Sequence, residues 1–124
     1  MVSDISSINS SNRISPALSE IAELQETNDQ RVLDEAVYRG SRVHHINVIW
    51  NRNLTREHCW YLFDKLDDVI YKIFLMNVEA FPQDLLYKLA YNLGNEDIKL
   101  LGRYIISHKN ASPESKVIVA LRLY

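Results

Sequence analysis

The side chains of this 124-residue chain most able to do chemistry are four histidines and a single cysteine: His44, His45, His58, His108 and Cys59. His44 and His45 are adjacent, so on a helix they point about 100° apart and cannot grip one metal ion from one face. His58 and Cys59 lie beyond Trp50, near the next helix start. A His/His/Cys metal site would need those two helices to be neighbours; the plainer reading is a partly exposed, groove-lining set. A Cys59–His58 nucleophile and base is disfavoured, because sequence neighbours do not face each other on a helix. Buried beside Trp60-Tyr61-Leu62-Phe63, the Cys59 thiol would keep its proton and be a poor nucleophile. His108 shares a repeat position with Asn51 and Asn77, where a turn-stabilising role is expected.

The acids Asp64, Asp67, Asp68, Glu96 and Asp97 fall at turns between helices, where solvated caps are expected rather than paired catalytic carboxylates. No Gly-rich phosphate loop, GxSxG elbow or HExxH pair occurs. The chain therefore reads as a non-enzyme, with no cofactor and no metal.

What remains is binding chemistry. Residues 38–63 carry Arg39, Arg42, Arg52 and Arg56 against Glu57, net +3. Residues 1–37 are net −5, residues 64–98 net −4 and residues 99–124 net +4. Such segments become basic and acidic stripes once helices stack, and stripes steer partners. Five of the seven tyrosines fall at 61–104. That exceeds what a small core buries with satisfied hydroxyls, so some are expected to face outward as interface residues. The expected partner-binding set is Arg39, Arg42, His45, Trp50, Arg52, Arg56, Tyr87, Tyr91, Leu123 and Tyr124. A protein partner is expected first. Nucleic acid in a basic groove of the four arginines with His44 and His45 is the alternative.

The elements that must position these residues are helical. Apolar residues recur at helical spacing in 14–25, 29–39 and 43–50, and again in 55–66, 67–76, 82–93, 95–108 and 113–123. No run alternates with period two and no Asn-Gly or Asp-Gly hairpin occurs. The fold is expected to be all-α with seven or eight short helices. Seven serines crowd the first 19 residues, so residues 1–13 are expected to be a mobile arm and 14–124 one domain.

Helix starts repeat. Ile14-Ser15-Pro16-Ala17, Leu54-Thr55-Arg56-Glu57, Ala80-Phe81-Pro82-Gln83 and Ala111-Ser112-Pro113-Glu114 begin 40, 26 and 31 residues apart. Ser and Thr suit the N-cap and Pro the first helical position, although Phe81 breaks the cap rule. Between them lie second helices introduced by Asn28-Asp29, Asp67-Asp68 and Asn95-Glu96-Asp97. Such intervals suit a solenoid of helix pairs. This alternation, best seen in Asn110-Ala111-Ser112-Pro113-Glu114, resembles the variant leucine-rich repeats, a HEAT-like α-helical family of small bacterial and bacteriophage proteins. The resemblance covers residues 50–124, and 12–124 in weaker form. It implies a short solenoid preceded by the arm, with a binding surface rather than a reaction. The iron–sulfur segment of that family's founding type has no counterpart here. The role implied is an accessory protein that inhibits or scaffolds a host complex.

Composition agrees with a folded domain: 47% hydrophobic, 24% charged and net charge −2. One cysteine leaves no disulfide framework, which suits a reducing, cytoplasmic setting, in a host cell if the protein is viral. No signal peptide opens the sequence, and its apolar runs are far short of a membrane span. The last eight residues, Val117–Tyr124, carry more apolar groups than one helix face can hide. Self-association or partner contact through this segment is expected.

Overall fold

Four of the described helices start at side-chain oxygens that accept the orphan amides of a first turn. Asp29 accepts from the Arg31 N–H at 3.0 Å, Asp68 from Ile70 at 3.0 Å and Ser112 from Ser115 at 3.1 Å. Thr55 accepts from the His58 N–H at 3.2 Å. The computed structural model describes residues 18–124. Its helices are α1 (Leu18–Glu26), α2 (Gln30–Arg39), α3 (Arg42–Val48), α4 (Arg56–Lys65), α5 (Val69–Met76), α6 (Gln83–Asn92), α7 (Asn95–Ile106) and α8 (Pro113–Leu123). No strand occurs among the described residues, so the fold is all-α. The arm expected at 1–13 and the start expected at Ile14–Ala17 lie outside the described residues. No helix among those described is long and apolar enough to cross a membrane.

Contacts recur at a distance of two elements. α1 packs on α3, α2 on α4, α5 on α7 and α6 on α8. Arg56 of α4 pairs with Asp84 of α6, and Lys88 of α6 stands 5.1 Å over the Trp60 ring of α4. Arg42 of α3 stands 5.5 Å over the Tyr71 ring of α5. Consecutive contacts join α1–α2, α2–α3, α4–α5, α6–α7 and α7–α8. The core threads these layers with Leu33, Val37, Leu62, Leu75, Leu86 and Leu101. Each contributes about 1.5–3 kcal/mol by leaving water.

The loops before α4, α6 and α8 share one backbone pattern. The N–H groups of Asn51, Val78 and His108 each bond the carbonyl three residues back. Those of Leu54, Phe81 and Ala111 then bond the carbonyls of Asn51, Val78 and His108. Asn51, Val78 and His108 are therefore equivalent, and the residue aligned with Asn51 is Val78, one later than the expected Asn77. The same one-residue shift explains Phe81. It is not a failed cap but the buried residue before the cap, matching Leu54 and Ala111. Pro82 is the N-cap itself, with an extended backbone at φ −86°, ψ 152°.

Candidate functional site

Each histidine ring is engaged by backbone. Nδ1 of His58 accepts the Thr55 N–H at 3.0 Å, closing a capping box on α4. That bond puts the ring proton on Nε2, which lies 2.6 Å from Oδ1 of Asp34 on α2. Nδ1 of His44 accepts the Ser41 N–H at 3.0 Å. Nδ1 of His108 accepts from the Asn110 N–H at 3.0 Å while Nε2 donates to the Met76 carbonyl at 2.7 Å. Nε2 of His45 donates to the Val37 carbonyl at 2.9 Å. Burial holds His45 below the ordinary histidine range, helped by His44 and Lys65 and opposed by the Val37 bond. His58 and Cys59 are buried rather than groove-lining, and desolvation pushes the Cys59 thiol up to about 12. Among the described residues no three His, Cys, Asp or Glu side chains converge to hold a metal ion.

The four arginines do not share one groove. Arg39 and Arg42 lie at the α2–α3 turn, whereas Arg52 and Arg56 lie at the opposite end of α3, in the α3–α4 loop and at the start of α4. Arg42 sits 3.6 Å from Asp67, and Arg56 pairs with Asp84. Arg39 lines a hollow between α1, α2 and α3 that Glu20, Glu23 and Glu35 also line. Arg52 flanks Trp50 beside Asn51.

The tyrosines expected at an interface are exposed on one helix. Tyr87 and Tyr91 of α6 lie tilted against each other with ring centroids 4.7 Å apart, and the Tyr91 hydroxyl donates to Glu114 at 3.1 Å. Hydrogen bonding to Tyr87, and then desolvation and Glu114, raise the Tyr91 phenol above its ordinary range. Nearby layers add Tyr38 of α2, edge-on to Tyr61 of α4 at 5.0 Å.

Trp50 belongs to the other layer. It is 52% exposed and packs on Phe74 of α5 with centroids 4.6 Å apart. At the C-terminal end, Val119 is buried and Leu123 is half-buried against α7, where Gly102 lets the helices close. A Cβ on Gly102 would stand 3.0 Å from Val119 Cγ1 and 3.1 Å from Leu123 Cδ1. Val117, Leu121 and Tyr124 are exposed, and Tyr124 lines a hollow with Leu123 and with Leu100 and Tyr104 of α7.

The expected partner-binding set omits Ile70, Ile73, Phe74, Leu100 and Tyr104. The signal was present in α5, Val-Ile-Tyr-Lys-Ile-Phe-Leu-Met, where a single charge leaves no polar face. Only Leu75 and Met76 of its residues are buried, so the remaining apolar groups stand partly or fully in water. The chain matches no protein-family model, no curated protein and no solved structure.

Proposed function

We propose that this chain is a non-enzymatic protein-binding module built as a short HEAT-like solenoid of the variant leucine-rich-repeat type. The stacking of α1 on α3, α2 on α4, α5 on α7 and α6 on α8 supports that architecture, as does the shared loop pattern at Asn51, Val78 and His108. One observation carries the binding reading above the others. Large aromatic and aliphatic side chains stand partly in water on both layers: Trp50, Ile70, Leu100 and Tyr104 on one, Tyr38, Tyr87 and Tyr91 on the other. Where such groups adjoin, as Trp50 does Phe74 and Tyr87 does Tyr91, exposed apolar surface of this kind favours an interface. The engagement of all four histidine rings by backbone and the burial of Cys59 support the non-enzymatic half. The same module is proposed to self-associate through the outer stripe of α8 and to act by covering or scaffolding its partner.

The test is reconstitution. A protein recovered with the tagged chain from its source cells is purified separately and remixed at known concentrations. A complex of defined stoichiometry by light scattering is expected. Failure of every purified candidate to rebind, or turnover of a substrate dependent on His58 or Cys59, would end the reading.

A further inference from the structure

We infer that the outward face of α3, α5 and α7 docks an amphipathic helix of a partner protein whose flanks carry Asp and Glu. This rests on the protein-binding reading and adds the surface and the chemistry of what it binds.

The face is continuous. Ile70, Ile73 and Phe74 lie within about 100° of one another on α5, opposite buried Leu75 and Met76. Phe74 reaches Trp50 at the end of α3, 4.6 Å between ring centroids. Ile73 shares a shallow hollow of about 270 Å³ with Tyr104 of α7. Leu100 stands one turn before Tyr104 on the same helix, and both are about half exposed. The hollow is smaller than the roughly 300–1,000 Å³ of small-molecule sites, so it suits a side-chain anchor.

Spacing favours a helix. Packed helices such as α5 and α7 lie about 8–10 Å apart, and α3 meets α5 through Trp50 on Phe74 and Arg42 over Tyr71. Residues i and i+7 of a crossing helix are about 10.5 Å apart along its axis. One apolar ridge can therefore place an anchor at each seam, with Ile70 beneath the residues between them.

Charge selects acidic flanks. The acids beside the face are largely committed: Asp67 to Arg42, Asp68 to the α5 cap, and Glu79 to Lys109 at 2.7 Å. Glu96 and Asp97 sit in the first turn of α7, where they complement the helix dipole. Glu26 lines the hollow beside Trp50. Arg52 flanks Trp50, and Lys99 and Arg103 flank Leu100 and Tyr104. None of these three cations has an ion-pair partner among the described residues. They bracket the apolar strip at its two ends, where flanking carboxylates would meet them.

The test uses two fluorescein-labelled helical peptides with Leu at i, i+4, i+7 and i+11. One carries Glu at the flanking positions and the other Lys. At low salt the full chain is expected to bind the Glu peptide at least about 10-fold tighter than its Lys twin. Ile70→Glu should weaken Glu-peptide binding about 10-fold or more. Lys99→Glu with Arg103→Glu should reverse the preference. These positions are exposed, so melting curves of the variants should match wild type. Equal binding of both peptides, no binding of either, or indifference to Ile70→Glu overturns the assignment. So does Ile70-dependent binding to phosphatidylglycerol vesicles, which would make the face a membrane surface. A reconstituted partner still bound by Ile70→Glu would spare the protein-binding reading and remove only this surface.

Discussion

His58 and Asp34 bond across the α2–α4 seam at 2.6 Å, although the ring is 1% exposed and the carboxylate side chain 56%. The same ring caps its own helix through the Thr55 N–H. One imidazole thus joins two packed helices and terminates one of them. That use of both nitrogens leaves no lone pair for a substrate.

Replacing His58 by Phe keeps the ring volume and removes both bonds. The Thr55 amide then loses its acceptor in a part-buried site. The expected loss is about 2 kcal/mol in urea unfolding. Asp34→Asn should cost less, about 0.5 kcal/mol, because water screens that carboxylate. Equal losses for the two variants would refute this division.

Asn51 is the most heavily used buried polar side chain of the loops. Its Nδ2 donates to the carbonyls of Leu24 and Thr27 at 2.9 and 2.8 Å, and its Oδ1 accepts from the Asn53 N–H at 2.7 Å. Asn51→Val copies the residue that Val78 supplies at the equivalent position. It leaves these backbone groups without their partner, so a loss of about 3 kcal/mol is expected. Val78 shows that the loop itself tolerates valine. A destabilisation below about 1 kcal/mol would mean that water replaces the amide.

How far these features were legible in the sequence follows from their range. Thr55, Asp68 and Ser112 could be read as caps because capping acts within one turn. The repeat of helix starts could be read for the same reason. The equivalence of Asn51 with Val78 could not, since a polar pin and a valine share no chemistry and only the backbone bonds align them. Phe81 looked like a broken cap because its burial depends on Phe63, 6.1 Å away between ring centroids on α4. The partly exposed face of α5 was hidden too, because an apolar stripe does not reveal how many neighbours will cover it.

Acid should weaken the fold through His45. Burial holds its folded-state pKa below the ordinary value near 6.5, so the unfolded chain takes up a proton that the folded chain refuses. Stability contributed by neutral His45 is complete above that ordinary value. It falls as pH drops from about 6.5 toward the lowered folded value. His45→Gln keeps an N–H for the Val37 carbonyl and cannot titrate. Urea midpoints at pH 7.5 and 5.5 should therefore differ less in the variant than in wild type. An identical difference would assign the acid sensitivity elsewhere.

Cys59 should be silent to thiol reagents while the chain is folded. With its thiol at about 12, the thiolate fraction at pH 8 is on the order of 10⁻⁴. The side chain is also fully buried. Labelling by a disulfide reagent should therefore track unfolding and become complete in denaturant. Rapid labelling of the native chain would show that α4 opens locally.

The outer stripe of α8 makes the last prediction. Val117, Leu121 and Tyr124 are 58%, 74% and 93% exposed and follow i, i+4, i+7 spacing along α8 and its C-cap, with Tyr124 also lining a hollow beside Leu100 and Tyr104 of α7. Repeat units bury such a stripe on the next unit, and a second copy offers the same stripe for a two-fold contact. The apparent mass by light scattering should rise with concentration in wild type. Leu121→Glu with Tyr124→Ser should hold it at the monomer value without lowering the unfolding midpoint, since both side chains stand in water. Leu123→Asp is the wrong variant for this purpose. Leu123 is half-buried and packs toward Gly102, so a carboxylate there would loosen the α7–α8 contact before it reported on assembly. A constant monomer mass in wild type up to about 1 mM would refute self-association. Loss of the concentration dependence in Leu123→Asp but not in the outer-stripe variant would place any assembly on another face.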